Sequence, residues 1–187
     1  MRVIAGTLRG KKLSAPPGIT TRPTSDRVKE ALFSILASRM DITGVRVLDI
    51  CAGTGSLGIE ALSRGAGLCC FIEYNRSVKT ILEKNIHDTR CQDRSEILNV
   101  DAVQALHGIA GRCQQFDLVF FDPPYDSDLY PRVLETVGAF GLLTPGAILV
   151  SECSVRNPLP ESYGHLKRFD RRVYGETALE LFIQEED

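Results

Sequence analysis

The sequence lacks the features of a membrane or secreted protein. It has no apolar run near the roughly 20 consecutive residues that a membrane-spanning helix needs. Its first 13 residues carry four basic side chains and no apolar core of the kind that a signal peptide has. We therefore expect a cytoplasmic protein without a membrane partner.

Cysteine pairs and the common metal-binding or catalytic motifs are also missing. The six cysteines include no CxxC pair, and no histidine stands at zinc-ligand spacing from one, so we expect reduced thiols and no metal. The sequence has no Gly-Lys-Ser or Gly-Lys-Thr of a P-loop and no Gly-x-Ser-x-Gly nucleophile elbow. These absences argue against the cradling of a triphosphate and against serine hydrolase chemistry.

The composition is that of one globular domain, but the charge is unevenly distributed. The 187 residues are 43% hydrophobic and 25% charged, and the net charge is only −2. Residues 1–40 hold eight basic and two acidic side chains, a balance of +6, whereas the remainder holds 14 basic and 22 acidic side chains, a balance of −8. The basic segment is compatible with a phosphate-contacting surface and equally with a solvated extension.

From residue 45 onward, short apolar runs alternate with helical patterns. The runs cover residues 45–50, 68–73, 97–100, 116–121 and 147–152. This alternation, with strands that are apolar on both faces, predicts a parallel sheet with helices on both faces. Residues 163–169 and 178–183 have no helix-length spacer between them and predict a terminal antiparallel hairpin. Together these segments predict an α/β fold with a Rossmann-like, seven-stranded, mostly parallel sheet.

The first 40 residues form a separate segment of the predicted fold. Residues 1–13 predict a small hairpin, and a loop rich in proline and glycine connects it to a helix that begins near Asp26. Apolar side chains recur at helical spacing over residues 28–36. We therefore expect a basic N-terminal hairpin and helix, residues 1–40, appended to a main domain of residues 41–187.

The turn after the first predicted strand is rich in glycine. It consists of Cys51, Ala52, Gly53, Thr54 and Gly55, and Asp49 precedes it. In a doubly wound sheet, glycines in this turn let the backbone approach a ligand, although tight packing alone can also require them. Because the carboxylate of Asp49 would repel a pyrophosphate, a cofactor with a positive charge fits better.

Acids also follow the second and third predicted strands. Glu73 stands about 20 residues after the glycine turn, where a carboxylate accepts hydrogen bonds from ribose hydroxyls, and this spacing also suits NAD. Tyr74 beside it either touches the ribose or adenine or makes ordinary loop contacts. The side chain of Asp101 can reach the adenine edge. Asp101 can also be the N-cap of the next helix, and the two roles are compatible.

The tetrapeptide Asp122-Pro123-Pro124-Tyr125 follows the fourth predicted strand. Its two prolines fix the backbone and remove two N–H donors, so the strand end presents hydrogen-bond acceptors beside an aromatic ring. A planar base fits such a rim, because its exocyclic amine can donate to Asp122 and to the carbonyl of Pro123. In an arbitrary loop these residues would be a rigid turn, but here they end the strand expected beside the first, near three other acids.

These residues resemble the class I S-adenosylmethionine-dependent methyltransferases. Within that class they are similar to the RsmD-like group, which methylates the exocyclic N2 of a guanine in 16S ribosomal RNA. The resemblance covers residues 1–6, 21–33, 49–66, 122–125 and 174–175. The run Arg-Pro-Thr-Ser-Asp-Arg at residues 22–27 is its most particular segment, since Asp-Pro-Pro-Tyr alone indicates only amine methylation of a base or a glutamine.

The resemblance implies S-adenosylmethionine as cofactor and a role for each candidate residue. Contact with the cofactor is implied for Asp49, Cys51, Ala52, Gly53, Thr54, Gly55, Glu73, Tyr74, Asp101, Ala102 and Asp122. Contact with the target guanine is implied for Asp122, Pro123, Pro124 and Tyr125. Contact with RNA is implied for Arg2, Arg9, Lys11, Lys12, Arg22, Thr24, Ser25 and Arg27. Cys51 departs from the family, which usually has an aromatic residue there, and we expect the difference to alter packing beside the methionine moiety while the assignment stands.

The implied partner is 16S ribosomal RNA or the assembling small subunit, and we expect a monomer because no long apolar surface stripe is apparent. Two alternatives stay open: another substrate amine, on a nucleic-acid base or a protein glutamine, and a noncatalytic RNA-binding assembly protein. An NAD-dependent oxidoreductase would account for the glycine turn and Glu73 but would leave Asp-Pro-Pro-Tyr unexplained.

Overall fold

The computed structural model describes residues 1–16, 26–125 and 127–184. Within these ranges no helix is long and apolar enough to cross a bilayer. In chain order the helices and strands are α1 (Asp26–Ala37), β1 (Arg46–Ile50), α2 (Ser56–Ser63), β2 (Leu68–Ile72), α3 (Arg76–Asp88), β3 (Ser95–Leu98), α4 (Ala102–Gly111), β4 (Phe116–Phe121), α5 (Leu129–Ala139), β5 (Leu143–Ser154), β6 (Ser162–Tyr163), β7 (Leu166–Tyr174) and β8 (Thr177–Gln184).

All of these strands belong to one sheet, in the order β3-β2-β1-β4-β5-β8-β7-β6. Within β1 to β5 every pair of neighbouring strands is parallel. Strand β8 is antiparallel to both of its neighbours, β5 and β7. The chain fills one half of the parallel region with β1, β2 and β3 and then returns to place β4 on the other side of β1. Ligands of doubly wound sheets bind at such a switch point, beyond the carboxyl ends of the strands.

A hydrophobic core lies on each face of the sheet. Because side chains alternate along a strand, Leu48 and Ile50 of β1 pack with α4 and α5, whereas Val47 packs with α1, α2 and α3. The second core also takes in Val3 and Leu13 from the N-terminal segment, and both side chains are buried. The predicted covering of both faces by helices is therefore confirmed.

The predicted α/β fold and the C-terminal antiparallel hairpin are confirmed, but the strand count was wrong. The sheet has an eighth strand, because residues 163–169 do not form one continuous strand. Gly164 turns the chain between β6 and β7 with a φ of +57°, a conformation that favours glycine. A Cβ atom at this position would also lie 3.3 Å from the backbone oxygen of Gly138.

The predicted N-terminal hairpin is reduced to a single bridge between Arg2 and Lys12. Its two arms are joined by backbone hydrogen bonds, from the N–H of Val3 to the oxygen of Lys11 at 2.9 Å and from the N–H of Leu13 to that of Met1 at 3.1 Å. The first arm also bonds to α2. The N–H groups of Ile4 and Ala5 donate to the carboxylate of Glu60 at 2.7 and 3.0 Å. The short hairpin is therefore fixed to α2 through Ile4 and Ala5.

A buried ion pair fastens this segment and α1 to the domain. The ammonium of Lys29 lies 3.3 Å from the carboxylate of Glu60, and both side chains are fully buried. Lys29 also donates to the backbone oxygen of Arg2 at 2.6 Å and to the hydroxyl of Ser56 at 3.2 Å. Burial lowers the pKa of Lys29, and the neighbouring Glu60 carboxylate opposes that shift. The pair thus joins α1, α2 and the N-terminal segment.

We expect Lys29→Met to lower the free energy of unfolding by about 3 kcal/mol, because it removes the fully buried one of the two cations that pair with Glu60 and leaves only Arg64, at 2.9 Å. Urea unfolding followed by circular dichroism would measure the loss. Lys79→Met is the matched control, since Lys79 forms a partly exposed pair with Glu83, and it should change stability by less than about 0.5 kcal/mol. Equal effects of the two substitutions would contradict the anchoring role.

Candidate active site at the carboxyl edge of the sheet

Four acidic residues converge where the first four strands end. Asp49 lies in β1, and Glu73, Asp101 and Asp122 follow β2, β3 and β4. All four acids act electrostatically on one residue, Cys51, in the turn after β1. Burial, with a smaller contribution from the negative charges of all four acids, raises the pKa of the Cys51 thiol to about 12. The thiol is therefore protonated at neutral pH and marks the centre of an electronegative crevice.

Backbone N–H groups, rather than basic side chains, hold three of these acids. Glu73 accepts from the N–H of Gly53 at 2.9 Å, Asp49 from that of Gly58 at 2.9 Å and Asp101 from that of Val103 at 3.0 Å. No ion pair formed by the described residues includes any of the three. The crevice therefore keeps a negative field, which favours a positively charged ligand.

Glu73 organises the glycine-rich turn. Its carboxylate bridges the N–H of Gly53, at 2.9 Å, and the N–H of Asn75, at 2.7 Å. Burial raises the pKa of Glu73, and these two hydrogen bonds oppose the shift. Each carboxylate oxygen has two lone pairs, so Glu73 can still accept from a ribose hydroxyl.

The three glycines of this region serve different purposes. Gly53 has a φ of +57°, and a Cβ atom there would meet only the backbone oxygen of Cys51, at 3.9 Å, so this side of the turn is open to a ligand. A Cβ atom at Gly55 would lie 2.4 Å from Leu82, and one at Gly58 would lie 2.3 Å from the ring of Phe71. The φ of +78° favours glycine at Gly55, and packing against Phe71 requires it at Gly58, whereas Gly53 leaves room for backbone approach.

The residues predicted at the ribose and adenine occupy the loops after β2 and β3. Tyr74 is 74% exposed, and the side chain of Asn99 donates to the backbone oxygens of Glu73 and Tyr74 at 2.6 and 3.0 Å. Asp101 is the N-cap of α4 and uses one oxygen, Oδ1, for Val103 and Gln104. The predicted cap is confirmed. Ala102 is buried beneath it.

Asp-Pro-Pro-Tyr lies beside the glycine-rich turn. The N–H of Asp122 donates to the backbone oxygen of Ile50 at 3.4 Å, which joins the end of β4 to the end of β1. Pro123 is buried and Pro124 is exposed. The hydroxyl of Tyr125 lies within hydrogen-bond distance of Glu152 and Thr177, two residues that the sequence did not single out.

Asn85 is a further residue that sequence reasoning missed. It is buried on α3, and its amide nitrogen donates to the backbone oxygens of Thr54 and Ser14 at 2.9 and 3.0 Å. Its oxygen accepts from the N–H of Ser14 at 2.7 Å. Asn85 thus ties the glycine-rich turn to the N-terminal segment. A polar residue between the buried Leu82 and Ile86 was the signal that could have found it.

The predicted RNA-contacting residues fall into separate groups. Arg2 and Lys12 are exposed partners of one bridge, and Arg2 pairs with Asp26 at 2.9 Å, near the exposed Arg27. Lys11 is exposed beside them. Arg9 belongs to the turn that contacts Ser63, at the far end of α2 from the crevice. The remaining candidates, Arg22, Thr24 and Ser25, lie outside the described residues.

Five parallel strands, an antiparallel β8 beside β5 and an acidic, glycine-lined crevice at the switch point define the class I methyltransferase fold. A family model described as "Conserved hypothetical protein 95" matches residues 1–183. The chain therefore belongs to this family, the RsmD family.

Relatives and solved structures match nearly the whole chain. "Putative rRNA methyltransferase YlbH" of Bacillus subtilis is 35% identical over 182 residues, which are 97% of this chain and 98% of the relative. "Ribosomal RNA small subunit methyltransferase D" of Escherichia coli is 34% identical over 185 residues, which are 99% of this chain and 90% of the relative. The solved structure "Putative methyltransferase yhhF from Escherichia coli" superposes with a TM-score of 0.85 at 32% identity and covers 100% of this chain and 99% of that one.

Asp49 makes stability dependent on pH. Burial raises its pKa to about 8, against an ordinary value of about 3.9 in an unfolded chain. The folded state then binds the proton more tightly, so the stability contributed by Asp49 is full below about pH 4 and is lost as pH rises toward 8. Asp49→Asn should remove this loss and flatten the fall of unfolding free energy by up to about 1.4 kcal/mol per pH unit.

Urea unfolding at intervals between pH 5 and pH 8 would measure the slope. Asp93→Asn, at an exposed acid in the turn before β3, should leave the slope as it is in the wild type. The same slope in Asp49→Asn and in the wild type would contradict the burial of a charge at Asp49.

Proposed function

We propose that this protein transfers a methyl group from S-adenosylmethionine to the exocyclic N2 amine of a guanine in 16S ribosomal RNA. The observation that carries the proposal is the contact between two features at the switch point. The acidic, glycine-lined crevice follows β1, and the acceptor rim of Asp122 and Pro123 follows β4. The hydrogen bond between Asp122 and Ile50 joins them directly, so a cofactor and a target base would lie side by side.

The names of the relatives support ribosomal RNA as the substrate class. The Bacillus subtilis protein is named for rRNA methylation, and the Escherichia coli protein is named for methylation of small-subunit RNA. Both match this chain over nearly its whole length, so the comparison includes the crevice, the rim and the N-terminal segment.

The crevice fits S-adenosylmethionine by charge and by shape. The cofactor carries a sulfonium and an ammonium, and the carboxylates of Glu73, Asp101 and Asp122 around Cys51 provide the complementary field, beside an Asp49 whose pKa burial raises to about 8. Gly53 offers the open backbone for its methionine part, Glu73 the acceptors for its ribose, and Asp101 with Tyr74 the surroundings of its adenine. When bound, the cofactor would supply a methyl group that is already activated for transfer.

The residues of the rim would orient the amine. Asp122 and the carbonyl of Pro123 accept the N–H groups of guanine N2, which turns the nitrogen lone pair toward the methyl group. The ring of Tyr125 would lie against the base. Correct orientation of two reacting groups lowers the reaction barrier by about 7–11 kcal/mol in favourable systems. A carboxylate is too weak a base to deprotonate a neutral aryl amine, so Asp122 would take a proton only after transfer, when the nitrogen is cationic.

The guanine must leave its stack to reach this rim. Extrusion from a helix costs a few kcal/mol, so a loop or a partly assembled small subunit is the favoured substrate. We propose that a monomer acts on it in the cytoplasm and that the basic appendage of residues 1–40 holds the RNA backbone.

Asp122→Ala should abolish methyl transfer and leave cofactor binding weakened but measurable, because Asp122 accepts from the amine and is only one of several acids that face the cofactor. Transfer of a labelled methyl group to small subunits and to naked 16S RNA from cells lacking the activity, with nucleoside analysis, would measure it. Asp128→Ala removes a strongly exposed acid from the start of α5, close to the same loop, and should retain activity.

N2-methylguanosine formed by the wild type but not by Asp122→Ala would support substrate, reaction and site together. Loss of cofactor binding and turnover together in Asp122→Ala would make Asp122 a structural residue. Cofactor binding without transfer to either RNA by the wild type would favour another amine-bearing substrate. Absence of cofactor binding by the wild type would favour the noncatalytic assembly protein.

Arg27→Ala should weaken RNA binding at low salt and lower the slope of log affinity against log salt by about 1, the effect of one lost phosphate contact. Fluorescence anisotropy with a labelled 16S fragment at several salt concentrations would measure both quantities. Arg112→Ala is the control, because Arg112 follows α4 at the opposite edge of the sheet and pairs with Glu96. An unchanged salt slope in Arg27→Ala would contradict the entrance role.

A further inference from the structure

The hydroxyl of Tyr125 is held between β5, the last parallel strand of the sheet, and its antiparallel neighbour β8. Its oxygen lies 2.8 Å from Oε1 of Glu152 on β5 and 2.7 Å from Oγ1 of Thr177 on β8. The side chains of both partners are buried, with residue exposures of 6% and 4%. Neither residue belongs to the motifs that point to the crevice or to the rim.

The three groups form a directional chain of hydrogen bonds. A carboxylate only accepts, so the proton of Tyr125 goes to Glu152, and the hydroxyl of Thr177 then donates to the oxygen of Tyr125. Burial raises the pKa of Tyr125, which keeps the phenol protonated and able to donate. The donor of the phenol and one of its acceptor sites are both engaged inside the protein, which leaves the ring face as the surface for a ligand.

The two anchoring residues sit on a rigid part of the fold. Glu152 and Thr177 are on paired antiparallel strands, where Glu152 is opposite Leu179 and Thr177 is opposite Ser154. The backbone oxygen of Glu152 also accepts from the hydroxyl of Tyr130 on α5 at 2.9 Å. The anchor therefore connects the loop after β4 to the interior of the sheet and to the helix that follows the loop.

We infer that Glu152 and Thr177 are positioning residues that fix the ring of Tyr125 beside Asp122, so that the target base meets a preset aromatic wall. This inference rests on the proposed function for the identity of the base. An unanchored ring can rotate about two bonds, and each wrong orientation misplaces the base relative to the acceptors of Asp122 and Pro123. A misplacement of about 1 Å can cost about 100-fold in rate.

A double-mutant cycle tests whether Thr177 acts through the phenol. Tyr125→Phe removes the hydroxyl and keeps the ring, and Thr177→Val removes the donor at nearly constant volume. Each should lower kcat/KM for the RNA by about tenfold with cofactor affinity unchanged. The double variant should be no worse than Tyr125→Phe, because Thr177 has no phenol to hold there. Additive losses would overturn the inference.

Glu152 is tested by comparing two substitutions. Glu152→Gln keeps an oxygen that can accept from Tyr125, whereas Glu152→Leu keeps the bulk and removes the acceptor. Glu152→Gln should therefore retain at least about fivefold more kcat/KM than Glu152→Leu if the loss follows the hydrogen bond. Equal losses in the two variants would overturn the role of Glu152. Thr136→Val, which removes a buried hydroxyl from α5, is the control for a general loss of stability and should retain activity.

A spectroscopic measurement separates the anchor from the proposed reaction. The chain has five tyrosines, so protein labelled with 3-fluorotyrosine gives few fluorine resonances, and Tyr125→Phe identifies the one that belongs to Tyr125. This resonance should be a single line in the wild type, and Thr177→Val should shift it and broaden it by freeing the ring, whereas Thr136→Val should not.

An unchanged Tyr125 resonance in Thr177→Val would overturn the anchoring role whatever the activity. A changed resonance in a protein that methylates no RNA would support the anchor and contradict the proposed function. The two ideas can therefore fail separately.

Discussion

The structure depends on acidic side chains that are placed at one edge of a parallel sheet and held there by backbone N–H groups. Asp49, Glu73 and Asp101 each accept from the loop or helix that follows a strand, so the charge and the shape of the crevice have the same origin. Burying carboxylates costs stability unless they are hydrogen-bonded. Binding a cationic ligand relieves part of that cost, because opposite charge stabilises the ionised form.

Much of the fold could be predicted because each parallel strand and its helix are local in the sequence. The alternation of apolar runs and helical patterns predicted the β1 to β5 region and the terminal hairpin. The eighth strand was missed because Gly164 turns the chain inside residues 163–169, a mixed segment that was interpreted as one strand. The cap at Asp101 was predicted because its partners are two and three residues away.

The parts of the site that were missed depend on contacts between distant segments. Asn85 meets Ser14 across 71 residues, and Tyr125 meets Thr177 across 52. No spacing rule connects such pairs. The glycines show the same limit, since Gly53 and Gly55 look alike in the sequence, and only the neighbours in space separate an open backbone from a packed one.

The position of β8 has a consequence for how the protein is made. This strand comes after β7 in the chain but lies between β5 and β7 in the sheet. While the polypeptide is being synthesised, the edge of β5 therefore stays unpaired until residues 177–184 have left the ribosome. An exposed apolar strand edge can pair with other chains. The groups that hold Tyr125 are completed only in the same step, because Thr177 lies on β8. A nascent chain that stops before β8 therefore lacks one of the two anchors of this ring.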